Sequence, residues 1–217
     1  MIERAIAVQT HGRYLVEPPS GSGPAPMLVG FHGYAESPEV QLDRLRTIPG
    51  ADHWLCVAVQ GLHRFYQRRT SDIVSSWMTR QDRELAIADN VAFVAEVIAA
   101  VRDEWPHSST VIYAGFSQGV AMAYRAAAAA MPPVAGVISV GGDVPPELDK
   151  TVLSRVPAAL LCRGNKDLLY QKTAYENDLR RLQEAGTNVR PTEFDGGHEW
   201  ATDVLNAASQ FLRERRP

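Results

Sequence analysis

The sequence predicts an α/β fold: a mostly parallel central sheet with helices on both faces. Three observations carry that expectation. Several runs of strand length are apolar throughout, as strands buried on both faces are. Segments with helical spacing of apolar residues lie between them. The two kinds alternate along the chain, which is the order of a parallel sheet with crossover helices. With 217 residues and 23.8 kDa, residues 1–217 are expected to form one domain without a large lid.

Taken in order, Ala5–Gln9 and Tyr14–Glu17 read as strands joined by Thr10–Arg13 into an antiparallel hairpin at one sheet edge. Residues 18–26 (PPSGSGPAP) form a loop. Strands follow at Met27–Phe31, Trp54–Val59, Thr110–Ala114, Val134–Val140, Ala158–Cys162 and Arg190–Phe194. Helices are expected at Pro38–Ile48, Asp82–Trp105, Gln118–Met131, Thr173–Ala185 and Ala201–Arg215. In the second of these, Ile87, Val91, Val94, Ile98, Val101 and Trp105 fall on one stripe that should face the sheet, and Pro106 ends it. Gly186 can stop the fourth by taking a positive φ.

Composition narrows the function. Apolar residues are 45%, enough for a core, and the net charge of −3 argues against nucleic acid as a partner. Cys56 and Cys162 sit in apolar runs and are expected as buried, reduced thiols. The N-terminus has no apolar stretch of signal-peptide length and no segment is long enough to span a membrane, so the cytoplasm is the expected location. No spacing suggests a metal site or a cofactor. A homodimer is allowed but not indicated.

The chemistry starts at Gly115-Phe116-Ser117-Gln118-Gly119, a G-x-S-x-G match placed between a strand and a helix. A sharp turn there holds the serine in a strained conformation with its hydroxyl above the sheet edge. The glycines two residues away avoid clashes with neighbouring backbone. The helix that follows aims free N–H groups at the spot where an oxyanion would form. Such a serine needs a base oriented by a carboxylate, in the chain order Ser, Asp or Glu, His. His198, in Asp195-Gly196-Gly197-His198, is the sole histidine after Ser117. Two acids compete to orient it. Asp143 follows one strand in Gly141-Gly142-Asp143, and Asp167 follows the next in Arg163-Gly164-Asn165-Lys166-Asp167. Asp167 is favoured, because its strand precedes the histidine-bearing strand and its turn can reach. Asp195 reads as a strand end. The second oxyanion donor is expected from the loop Phe31-His32-Gly33-Tyr34, so that the Tyr34 and Gln118 amides converge, with His32 structural.

Together these features resemble the α/β-hydrolase fold and, within it, the phospholipase/carboxylesterase family that includes the acyl-protein thioesterases. The resemblance rests on Phe31-His32-Gly33, GFSQG at 115–119, the Gly164–Asp167 turn, GGH at 196–198 and Ser76-Trp77, and runs from about residue 26 to 212. It implies a cofactor-free serine esterase with Ser117, Asp167 and His198 as its triad, acting on a small ester or thioester. The chain departs from the family in three places. It has His-Gly-Tyr-Ala-Glu where many members have His-Gly-x-Gly-Asp, Val120 where a third glycine is common, and Tyr170 near a position often taken by Pro or Val. A serine peptidase and a non-catalytic binding protein are the alternatives. Weak hydrolysis of peptide amides relative to esters would separate the first, and a Ser117 inert towards acylating or phosphonylating probes would support the second.

From Gln60 to Arg80 the chain holds four arginines and one aspartate. This segment follows a strand end and should border the site, contacting an anionic group or lining an aromatic–basic pocket. Tyr34, Arg64, Phe65, Tyr66, Trp77 and Tyr170 are the candidate substrate contacts.

Overall fold

A computed structural model describes residues 1–216. Seven strands form the main sheet: β1 (Tyr14–Glu17), β2 (Ala25–Phe31), β3 (Leu55–Val59), β6 (His107–Phe116), β7 (Gly136–Val140), β8 (Ala158–Gly164) and β9 (Asn188–Phe194). A separate hairpin pairs β4 (His63–Tyr66) with β5 (Ile73–Ser76). The main sheet runs β1-β3-β2-β6-β7-β8-β9, parallel except for β1. β2, β3, β7 and β8 are buried along their whole length, while the edge strand β9 is exposed or half-buried up to Phe194. The uninterrupted apolar runs therefore mark the central strands.

Six helices connect the strands: α1 (Pro38–Thr47), α2 (Arg83–Glu104), α3 (Gln118–Ala129), α4 (Lys150–Leu153), α5 (Lys172–Glu184) and α6 (Thr202–Arg213). Successive strand side chains point to opposite faces, and two cores result. Met27, Val29, Val57 and Tyr113 meet α2, α3 and α5 through Val94, Val101, Met122 and Leu182. Leu28, Cys56, Ile112 and Cys162 meet α1 and α6 through Leu45, Val204 and Phe211. The two cysteines are unpaired and buried, and burial pushes each thiol up to about 12. Gly186 takes φ 84° after α5.

Three expectations need correction. Ala5–Gln9 is not a strand: residues 1–13 are exposed and β1 pairs with β3 instead. Ile6 and Val8 give the alternating pattern of a strand, but no sheet edge receives them. In α2 the stripe is rotated: Ile87, Val91 and Trp105 are only partly covered, and Ala86, Asn90 and Val97 are buried in addition to Val94, Ile98 and Val101. Finally, no strand is expected between Gln60 and Arg80, yet His63–Tyr66 and Ile73–Ser76 pair there as a hairpin.

The topology positions the site. β2 continues through α1 to β3 on one side, and the chain then crosses through α2 to β6 on the other side of β2. The strand order reverses between β2 and β6, and a crevice opens at their carboxyl ends. His32–Tyr34 follows β2 and Ser117 follows β6, so both line this crevice.

Candidate active site

Ser117 sits at φ 52°, ψ −121° between β6 and α3. A non-glycine residue there is strained, and the surroundings hold it in place. Its N–H donates to Val140 O at 2.9 Å, and its own carbonyl accepts from Val120 N–H at 3.0 Å. A Cβ at Gly119 would overlap the Phe31 carbonyl oxygen, and one at Gly115 would lie 2.5 Å from the Gly119 carbonyl oxygen. Gly119 thus lets the turn press against the end of β2, and Gly115 lets β6 pack tightly on the first turn of α3.

Asp167 lies in the turn after β8, its side chain 1% exposed. Its Oδ1 accepts from the Leu169 and Tyr170 amides at 2.8 and 2.9 Å, and its Oδ2 lies 2.8 Å from His198 Nδ1. A carboxylate committed in this way accepts a hydrogen bond from Nδ1–H of the imidazole, which keeps the proton on Nδ1 and leaves Nε2 as an acceptor. The Gly197 carbonyl lies where a Cβ at Gly164 would stand, so the loops carrying Asp167 and His198 pack backbone to backbone. The His198 ring packs beside Phe116, 5.0 Å between centroids, and the Arg44 guanidinium covers the Phe116 ring at 4.0 Å.

The β2 loop is fixed by a buried network. His32 Nε2 accepts from Gly61 N–H at 3.0 Å and from Ser75 Oγ at 2.8 Å, so Nδ1 carries the proton that reaches Gly33 O at 2.7 Å. Both ring nitrogens are spent, and burial lowers the imidazole pKa below 6.5. Trp77 stacks on this ring at 4.9 Å, and its indole N–H donates to His32 O at 2.8 Å. Asn90 on α2 accepts from Leu62 N–H at 3.1 Å and donates to Trp77 O at 3.0 Å. Next along the loop, the Glu36 carboxylate accepts from Gly33 N–H at 2.7 Å and takes two hydrogen bonds from Arg44 at 2.6 and 2.7 Å. Although burial opposes it, the pairing with Arg44 holds the Glu36 carboxyl below its ordinary value.

Ser117, Gln118, Tyr170 and His198 line one cavity of about 220 Å³ with Met78, Ala121, Asp143 and Leu169. Tyr170 contributes a ring that is buried, with its hydroxyl donating to Asp178 at 3.0 Å. Trp77 does not line this cavity: it is 1% exposed and supports His32 from behind. Arg64, Phe65 and Tyr66 also stand outside it, on β4. Arg64 donates to His11 O, Phe65 packs against Tyr34 at 5.7 Å, and Tyr66 is exposed. Of the Gln60–Arg80 segment only Met78 reaches this cavity, and the expected contacts Arg64, Phe65, Tyr66 and Trp77 do not line it. Tyr34 is exposed on the β2 loop.

Sequence reasoning missed three polar residues. Glu36 and Arg44 are eight positions apart on a loop and a helix, and nothing local pairs them. Asn90 interrupts an apolar stripe, which is the one visible sign of a buried polar tie. The Gln118 side chain also takes a part that the backbone reading does not include: its Oε1 accepts from Trp77 N–H at 3.0 Å and its Nε2 donates to Met78 O at 3.2 Å.

Known proteins agree with this architecture. A curated relative, acyl-protein thioesterase 1 of Neurospora crassa, is 27% identical over 149 residues, covering 64% of this chain and 60% of that protein. The match thus spans less than two thirds of the relative. Among solved structures, esterase PE8 superposes with a TM-score of 0.73 at 23% identity, covering 95% of this chain and all of that one. Acyl-protein thioesterase 2 of Zea mays does so with a TM-score of 0.72 at 18% identity, covering 94% and 99%. At these identities the superpositions establish the fold, which is that of the α/β hydrolases. The family description Phospholipase/Carboxylesterase matches residues 20–215, and the chain belongs to that family.

Proposed function

We propose that the protein is a serine hydrolase of carboxylic esters or thioesters, working through an acyl-enzyme. The observation that carries this reading is the 2.8 Å contact between His198 Nδ1 and Asp167 Oδ2, behind a cavity that His198 shares with the strained Ser117. In the proposed reaction Ser117 Oγ attacks the substrate carbonyl carbon as His198 Nε2 takes its proton. The carbonyl oxygen becomes an oxyanion, held by the backbone N–H groups of Tyr34 and Gln118. Collapse breaks the bond to the leaving alkoxide or thiolate, which leaves with the proton from His198. Water then attacks the acyl-enzyme, with His198 again as base, and releases the acid. Asp167 keeps the imidazole in the Nδ1–H form and stabilises the imidazolium.

The cavity is open to solvent and small beside the ~300–1,000 Å³ of typical ligand sites, so a short acyl group fits within it while a longer one would extend over the open surface. No helix among the described residues is long and apolar enough to cross a membrane. The two buried free thiols suit a cytoplasmic setting.

The test is intact mass after treatment with a fluorophosphonate, for wild type and Ser117→Ala, beside rates on p-nitrophenyl esters of increasing acyl length. One adduct on wild type, none on the variant, and rates falling towards long chains are expected. An unlabelled wild type that turns over no ester would leave a binding protein as the reading. Faster cleavage of peptide amides than of esters would make it a peptidase.

A further inference from the structure

The loop that follows β7 carries carboxylates with contrasting surroundings. Glu147 pairs with Arg125 at 2.6 Å. Asp149 caps the start of α4, accepting from Val152 N–H at 2.9 Å. Asp178, packed under the loop from α5, accepts from Val144 N–H at 2.9 Å and pairs with Arg181 at 3.3 Å. Arg181 in turn donates to the carbonyls of Val144, Pro145 and Leu148, each at 2.8 Å. The backbone beside residue 143 is therefore clamped from both its N–H and its C=O sides.

Asp143 differs from these neighbours. Among the described residues no cation and no N–H donor meets its carboxylate, and it lines the cavity shared by Ser117 and His198. Asp143 is exposed at the cavity wall, and the partial loss of water around its carboxyl still pushes it up, with no pairing to oppose this. A negative charge here repels an anionic substrate and opposes the oxyanion that forms at Ser117. A positive charge on the substrate would turn that repulsion into attraction and supply the missing partner.

We propose that Asp143 is a specificity residue that binds a cationic group, an ammonium or guanidinium, on the ester substrate. The inference rests on the esterase reading above and names the substrate class for that site. The clamped backbone holds the carboxylate in position before substrate arrives, which lowers the cost of ordering it. The Asp143 side chain takes part in no described hydrogen bond, so its replacement leaves the clamp intact.

The experiment compares kcat/KM within two series of matched esters. One series varies the acyl side: p-nitrophenyl esters ending in trimethylammonium, in the isosteric tert-butyl group, or in carboxylate. The other varies the leaving group: acetylthiocholine against 3,3-dimethylbutyl thioacetate. The cationic member is expected to exceed its neutral isostere by roughly 1.5- to fivefold in one series, the range for an exposed charge pair, and that series shows which side Asp143 binds. In Asp143→Asn the ratio should fall to about one, and in Asp143→Lys the carboxylate ester should become the preferred one. Because each ratio is taken within one protein, a general loss of activity does not move it. A wild type that is labelled at Ser117 and cleaves neutral esters, yet shows no charge preference, would overturn this inference alone. A preference that survives in both variants would also overturn it, by placing the cation elsewhere. No labelling and no turnover would instead overturn the esterase reading on which it rests.

Discussion

Two aspartates stand at the carboxyl edge of the sheet, one after β7 and one after β8, and they have opposite surroundings. Asp167 is fully enclosed, with Oδ1 accepting from both the Leu169 and Tyr170 amides and Oδ2 facing His198 Nδ1. Asp143 lies on the cavity wall with no such partner. The same contrast runs through the site. His32, Glu36 and the Gln118 side chain are tied into networks that shape the crevice. Ser117 and Asp143 face the space that those networks leave open. Groups with all their hydrogen bonds made inside the protein hold geometry, while those left open are available to a substrate.

Asp167→Asn gives the largest expected effect. The amide can offer its N–H to the ring and favour the wrong tautomer, and kcat on p-nitrophenyl acetate should drop by about 10⁴-fold with the fold intact. Steady-state kinetics with circular dichroism would check it. A drop under tenfold for Asp167→Asn, with a collapse for Asp143→Asn instead, would exchange the roles of the two acids.

Glu36→Ala probes the enclosed group on the β2 loop. It removes the acceptor of the Gly33 N–H and leaves Arg44, only 17% exposed, without its carboxylate. A stability loss of about 2–3 kcal/mol is expected by urea denaturation. Release of the adjoining Tyr34 amide should lower kcat by up to about 10²-fold. Lost stability with unchanged kcat would show that the oxyanion geometry does not depend on this pair.

Much of this division can be read in the sequence, and the exceptions have physical causes. GFSQG is legible because its strand, turn and helix are contiguous. The apolar runs at Leu55–Val59 and Ala158–Cys162 are legible because central strands have no solvent face. The choice between Asp143 and Asp167 is less determined, since both follow strands, and only the hydrogen bonds separate them. The β4–β5 hairpin is hidden because β4 is mostly exposed and two of the three buried residues of β5 are serines, so no apolar pattern announces it. Ala5–Gln9 misleads for the converse reason: alternation describes a face, but pairing needs a free edge in reach.

His32 extends the comparison to pH. Its pKa is held below 6.5 in the fold by burial, so the unfolded chain takes up the proton first as pH falls. The stability this site contributes is complete above about pH 6.5 and declines below it, towards the lowered folded value. The raised carboxyls of Asp143 and Asp178 act in the opposite direction, since protonation relieves their burial. Comparing wild type with His32→Gln isolates the histidine. The stability difference between them, from urea unfolding, should shrink between pH 7.5 and pH 5.5. A constant difference would mean that His32 does not protonate on unfolding in that range.

The smallest expected effect concerns Ala35, where the enclosed loop carries local strain. Its φ is 56°, in the left-handed region, and its N–H is committed to Ser75 O at 3.0 Å. An alanine there costs about 1–2 kcal/mol relative to the right-handed conformation. Glycine removes that strain but gives back about 0.5–1 kcal/mol through the greater freedom of the unfolded chain. Ala35→Gly should therefore stabilise the protein by about 0.5 kcal/mol, raising Tm by about 1–2 °C for a chain of this size. Calorimetry resolves a shift of that size. A lower Tm would mean that the alanine methyl packs well enough to outweigh its backbone strain. A higher Tm with reduced kcat would mean that the strain helps hold the Tyr34 amide towards Ser117, which would move this residue from the enclosed set into the working site.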